Sequence, residues 1–184
     1  YVTDNKAHKI FVIKNGKIKL FAGSGISWFD GLADDDKSLL LHQRSTVSPA
    51  GIVGDPSGRF IYFTEQYFQI VRRIDITQGT IRTVAGVRFS GGYDTKSVAT
   101  QAMLNNPTGL DLDTSGNLLY IADTYNHRVR QVNLTDGTIT TIAGNGGTNS
   151  NDAFEGSATD ISLDCPRDVF VDSVGDIYIA DHWH

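Results

Sequence analysis

Residues 107–144 read PTGLDLDTSGNLLYIADTYNHRVRQVNLTDGTITTIAG, and the alternation inside them decides the fold. Polar and apolar residues alternate through Gly109–Asp113, the pattern of a strand with one packed face. Leu118–Asp123 is a second strand, Arg128–Leu134 alternates again, and Thr138–Ala143 is a fourth, rich in β-branched residues that suit a pleated surface. Thr114–Asn117 and Thr135–Gly137 have turn composition, and Tyr125–His127 interrupts the pattern between the second strand and the third. Four short strands joined in this way form an antiparallel meander.

The unit recurs. Residues 49–86 read PAGIVGDPSGRFIYFTEQYFQIVRRIDITQGTIRTVAG, residues 166–181 read PRDVFVDSVGDIYIAD, and residues 1–23 match from the tyrosine onward. Pro49, Pro107 and Pro166 open the units, and Ala-Gly pairs at 22–23, 85–86 and 143–144 close them. Tyr1, Tyr62, Tyr120 and Tyr178 stand 61, 58 and 58 residues apart. A lone four-stranded sheet leaves both faces wet, whereas like units stacked around an axis cover one another and keep only short edges. A β-sandwich has no need of near-identical units in phase, and a β-helix has shorter coils. The expectation is an all-β chain of four-stranded antiparallel propeller blades. Residues 1–23 end one blade, 49–86 and 107–144 form two more, and 166–184 start a fourth. The connections 24–48, 87–106 and 145–165 are long and rich in Gly, Ser, Asp and Asn. Within them Val98–Leu104 and Ala158–Leu163 are each expected to make one helical turn that packs onto a blade.

The segment NLLYIADTYNHRVR at 117–130 resembles the signature of NHL repeats, a family of β-propellers that are commonly six-bladed. Residues 49–86 match in layout, with Tyr67-Phe68-Gln69 where the triplet belongs; the first unit has Lys6-Ala7-His8 and the last His182-Trp183-His184. The long connections suggest a long-loop form of the repeat. At this period a six-bladed ring needs about 350 residues. The chain is therefore expected to supply about three blades' worth of a ring. Its open ends would be covered by the remaining blades of a longer chain or by another copy.

Composition narrows the function. The 184 residues carry 16 Lys+Arg against 21 Asp+Glu, a formal charge of −5, and 40% are hydrophobic. That apolar fraction excludes wholesale disorder, and no apolar run is long enough to span a membrane as a helix. An acidic balance argues against nucleic acid, which needs a basic stripe. The densest basic stretches, Arg72-Arg73 and Arg128-x-Arg130, read as solvated strand faces. The single Cys165 can form neither an internal disulfide nor a zinc site built on several cysteines, and reads as a small buried residue beside Pro166.

Several residues bear on chemistry. The acid after the second strand recurs as Asp4, Glu65, Asp123 and Asp181. Such acids could ring a channel and bind a cation, but a carboxylate accepting turn amides or pairing with an Arg explains the recurrence more simply. Asn126, His127 and Arg128 are read with Asp4, Asp123 and Asp181 as scaffold residues of the motif. His182-x-His184 needs a third ligand to hold a metal. Asp30, Asp34, Asp35 and Asp36, and Asp152 with Glu155, lack the spacing of a calcium loop. Asn133-Leu-Thr135 is a glycosylation sequon in an expected hairpin turn. The resemblance also brings in the peptidylamidoglycolate lyases, which hold zinc through histidines near the starts of their innermost strands. The matching segments here, Pro49-Ala-Gly, Pro107-Thr-Gly and Pro166-Arg-Asp, contain no histidine. No metal or cofactor is expected.

The resulting expectation is a non-catalytic interaction or scaffold module. It would bind protein or glycan partners through its loop face, with Trp28, Phe29, Phe89, Tyr93 and Phe154 as aromatic anchors. The alternatives are a structural subunit of an extracellular assembly or filament, and a lyase or hydrolase working in the channel. Loops rich in Thr, Ser, Asn and Gly and short of Lys suit an extracellular location better than a cytoplasmic one.

Overall fold

The computed structural model describes residues 1–25, 41–43, 46–148 and 155–183. Among these residues the regular structure is β-strand with three short 3₁₀ turns and no α-helix. The first sheet holds β1 (Val2–Asp4), β2 (Lys9–Lys14) and β3 (Lys17–Ala22). The second holds β4 (Pro49–Gly54), β5 (Phe60–Glu65), β6 (Ile70–Asp75) and β7 (Thr80–Ala85). The third holds β8 (Pro107–Leu112), β9 (Leu118–Asp123), β10 (Arg128–Asn133) and β11 (Thr138–Ala143), and the fourth β12 (Asp168–Val171) and β13 (Ile177–Ala180). In every sheet sequential strands pair antiparallel, so each is a meander. The four-stranded sheets are propeller blades, and the chain forms part of a propeller.

The apolar core lies between the sheets, and strand alternation puts it there. On β5, Ile61 and Phe63 face the first sheet and pack with Ile10 and Ala22. Tyr62 points the other way, into a layer with Leu110, Leu119 and Ile121 of the third sheet. On β9, Tyr120 faces away from that layer and meets Val169 and Val171 of the fourth sheet. Each inner blade thus buries both of its faces, as stacking around an axis requires.

Backbones touch at the innermost strands. Thr3 Oγ1 donates to the Ala50 carbonyl at 2.6 Å, and at the equivalent place Thr64 Oγ1 donates to the Thr108 carbonyl at 2.7 Å. The third repeat has Ala122 in that position. Its hydroxyls come instead from Thr108, which donates to the Arg167 carbonyl at 2.7 Å, and Thr124, which donates to the Pro166 carbonyl at 2.9 Å. The outer faces carry exposed apolar residues: Ile13, Ile18 and Leu20 on the first sheet, Phe170 and Tyr178 on the last.

Several sequence expectations need correction. Arg72 and Arg130 are not on solvated faces; both are buried and ion-paired. The reason is that a blade with neighbours on both sides has no wet face for its polar alternates. Cys165 is half-buried among polar groups rather than in an apolar core. The triplet equivalents lie one residue later than their spelling suggests, at Ala7-His8-Lys9 and Phe68-Gln69-Ile70. The marker is the left-handed backbone at the middle residue, shared by His8 (φ 55°), Gln69 (φ 62°) and His127 (φ 54°). Val98–Leu104 does contain a 3₁₀ turn at Ala99–Gln101, with Ala99, Ala102 and Leu104 buried. Ala158–Leu163 makes turns but no helical turn. Asn133 sits at the end of β10 rather than in the turn, and its Nδ2 donates to Asp136 at 3.1 Å.

Candidate functional site

The second-to-third-strand turns and the long connections emerge on one face, and the signature residues bind them together. Each connection ends on two residues and then the proline that opens the next blade. The residue before each proline is left-handed: Ser48 at φ 49°, Asn106 at φ 53° and Cys165 at φ 59°. That conformation is strained for a residue other than glycine and must be held by its surroundings. At the first junction His8 Nδ1 accepts the Ser48 amide at 3.0 Å, and Glu65 accepts the preceding Val47 amide at 2.8 Å. At the second, Gln69 Oε1 accepts the Asn106 amide, and Asp123 accepts the Asn105 amide at 2.7 Å. At the third, His127 Nδ1 accepts the Cys165 amide at 3.2 Å, and Asp181 accepts the Asp164 amide at 2.9 Å. The triplet residue thus comes from the blade behind and the acid from the blade ahead, and together they clamp the strained pair. Asp4 is exposed and, among the described residues, closes its own turn, accepting the Ala7 amide at 2.9 Å.

Asp123, like Glu65, is enclosed between blades. It is fully buried and accepts Asn126 Nδ2 at 2.8 Å and Arg130 at 3.4 Å besides the Asn105 amide. Asn126 also donates to the Gly92 carbonyl at 2.6 Å, tying the second connection to the third blade. Burial pushes the Asp123 carboxyl up to about 6, against the hydrogen bonds from Asn126 and Asn105 and the charge of Arg130. A carboxyl raised in the folded state binds its proton more tightly there than in the unfolded chain. Its contribution to stability is complete below about pH 4 and is lost as pH rises through about 6, a loss of up to about 3 kcal/mol. Urea unfolding at a series of pH values should show this slope in the wild type and a flatter one in Asp123→Asn.

The aromatic candidates divide. Tyr93 is pinned, with the Arg128 guanidinium 3.8 Å from its ring centroid and Arg130 at 5.2 Å. Arg128 is fixed in turn by donating to the Asn126 and Asn145 carbonyls. Phe89 is 62% exposed and sits in left-handed backbone at φ 61°. It contacts Phe68 and Tyr67 edge-on, with centroids 4.8 and 6.5 Å away. Trp28, Phe29, Phe154, the acids Asp30, Asp34, Asp35, Asp36 and Asp152, and His184 lie outside the described residues.

Sequence reasoning missed a second set of aromatics. Two residues after the recurring acid stand Tyr67, Tyr125 and Trp183, and all three are exposed on the connection face. Their common offset from Glu65, Asp123 and Asp181 was the available signal. Between Tyr67 and Tyr125 opens a cleft of about 380 Å³ whose lining, including Gln66, Gln69, Asn105 and Asn106, bears no charge. Among the described residues one group could hold a metal: His127, Asp164 and Cys165, with ligand atoms within 4.8 Å of one another.

The family model described as NHL repeat matches residues 104–132. NHL repeat-containing protein 2 of Bos taurus is 27% identical over 178 residues, which are 92% of this chain and 23% of that protein. The chain therefore spans about a quarter of that relative. A structural genomics protein of unknown function from Bacteroides thetaiotaomicron superposes with a TM-score of 0.69 at 19% identity, covering 97% of this chain and 40% of that one. An auxiliary nutrient binding protein from the same organism gives 0.66 at 19%, covering 96% and 41%. These two likenesses carry the fold alone. With the signature matched at 104–132 and the sheets stacked as blades, the chain carries an NHL repeat and is similar to NHL repeat-containing proteins.

Proposed function

We propose that this chain is a non-catalytic interaction module that binds protein or glycan partners through its connection face. The observation that carries this reading is the ridge of Phe89 and Tyr67. A bulky aromatic in left-handed backbone is an outlier, and such strain clusters at functional positions. Here the strained ring is also mostly exposed, so burial in this chain does not account for it. Aromatic side chains on rigid supports are the usual anchors of interfaces. The cleft beside Tyr67 is lined by amide and hydroxyl side chains and bears no charge, which fits a neutral polar partner better than a polyanion. The exposed faces with Ile13, Ile18, Phe170 and Tyr178 are the kind that the inner blades bury against a neighbour, so further blades of the same ring suit them.

The test is a double variant, Phe89→Ser with Tyr67→Ser. Both side chains are exposed, so the unfolding midpoint should move little. Partners cross-linked to the wild-type face, or glycans retained on an array, should be lost at least about tenfold, as for hot-spot removal. Unchanged capture by a folded double variant would overturn the reading.

A further inference from the structure

We infer that the junction between the third and fourth blades binds a zinc-type cation through His127, Asp164 and Cys165. The three side chains offer one imidazole nitrogen, one carboxylate oxygen and one sulfur, a donor set that suits zinc. Their ligand atoms lie within 4.8 Å of one another, and His127 Nδ1 is 3.5 Å from Asp164 Oδ1. Tetrahedral zinc with bonds of about 2.0–2.3 Å holds its ligands roughly 3.3–3.8 Å apart. Rotation of the Cys165 and Asp164 side chains therefore closes the set, and ligation at His127 Nδ1 replaces its hydrogen bond to the Cys165 amide while Asp181 keeps its hold on the Asp164 amide. The His127 and Asp164 side chains are 22% and 25% exposed, which leaves a way in and an open fourth position.

The scaffold does not demand these ligands. At the first junction the clamped pair is Val47-Ser48, and at the second Asn105-Asn106. Only at the third, among the described junctions, does the pair bring a carboxylate and a thiol beside the clamping side chain. The backbone amides of Asp164 and Cys165 are themselves held, by Asp181 and His127, so their side chains start from fixed positions. His127 Nδ1 has one lone pair, at present directed to the Cys165 amide at 3.2 Å, longer than the 3.0 Å of His8 to Ser48. The metal takes that lone pair, and the thiol proton is released to solvent on binding.

The second junction supplies the control. Gln69 performs the clamp there, so His127→Gln keeps the hydrogen bond to the Cys165 amide and removes the metal ligand. Zinc titration of the protein, by calorimetry or against a chromophoric chelator, should give one site. Zinc should also slow labelling of Cys165 by a thiol reagent, and a chelator should restore it. Cys165→Ser and His127→Gln should each weaken binding by at least about tenfold, with the unfolding midpoint of the glutamine variant kept. Absence of stoichiometric binding, or wild-type affinity in a folded His127→Gln variant, would overturn the assignment.

Discussion

Asp123→Ala is expected to cost about 4 kcal/mol of folding stability, and Asp123→Asn much less. The alanine leaves Arg130, itself 2% exposed, buried without its carboxylate. Breaking a buried ion pair from one side typically costs 3–5 kcal/mol, because the surviving charge stays desolvated. It also deprives the Asn105 amide and the Asn126 side chain of their acceptor. The asparagine keeps an oxygen for the Asn105 amide, and so keeps the connection clamped. For a chain of this size each kcal/mol moves the melting midpoint by roughly 2–4 °C, so the alanine variant should melt about 10 °C below the wild type. A midpoint within one or two degrees of the wild type would mean that Arg130 finds another partner and that the clamp is dispensable. The comparison is made at pH 7, above the pKa of the carboxyl, where the ion pair is formed.

The fold was legible because strand alternation and the spacing of prolines and tyrosines are local signals. Ile61 and Phe63 against Tyr62 can be read as two faces from the letters alone. What the letters do not give is which faces are wet. Arg130 alternates like a surface residue, and only the stacking of the second blade on the third encloses it. The candidate site was less legible for a related reason. His127 and Cys165 are 38 residues apart, and nothing local to either shows that one holds the backbone of the other. Gln69 was hidden further, since it does the work of a histidine with a different side chain. Of the proposed anchors, Phe89 was visible as a loop aromatic, but its left-handed backbone was not. Tyr67 and Tyr125 stand inside the repeat motif, and nothing in the letters around them shows that their rings are exposed.

Gly144→Ala is expected to destabilise the protein by about 3 kcal/mol, whereas Gly137→Ala should cost only about 1 kcal/mol. Both glycines have positive φ, 87° and 75°. The backbone penalty for alanine is therefore similar, and the surroundings decide the difference. A Cβ at Gly137 meets nothing within 4 Å, because the turn projects into solvent. A Cβ at Gly144 would run into the His127 carbonyl oxygen and come within 2.9 Å of Arg128 Cα. These are backbone atoms at the start of β10 and cannot turn aside. The same collision awaits a Cβ at Gly86, against Gln69 and Ile70, and at Gly23, against His8 and Lys9. The Ala-Gly pair that closes each repeat is thus explained by the triplet. The glycine lets the departing chain cross directly over the left-handed residue whose side chain clamps the next blade. Pushing that crossing outward moves His127 away from the Cys165 amide, so the loss extends beyond the local clash. Urea unfolding of the two variants side by side measures the difference. Equal costs for Gly137→Ala and Gly144→Ala would show that the crossing gives way freely, and that the pair is kept for its turn conformation alone.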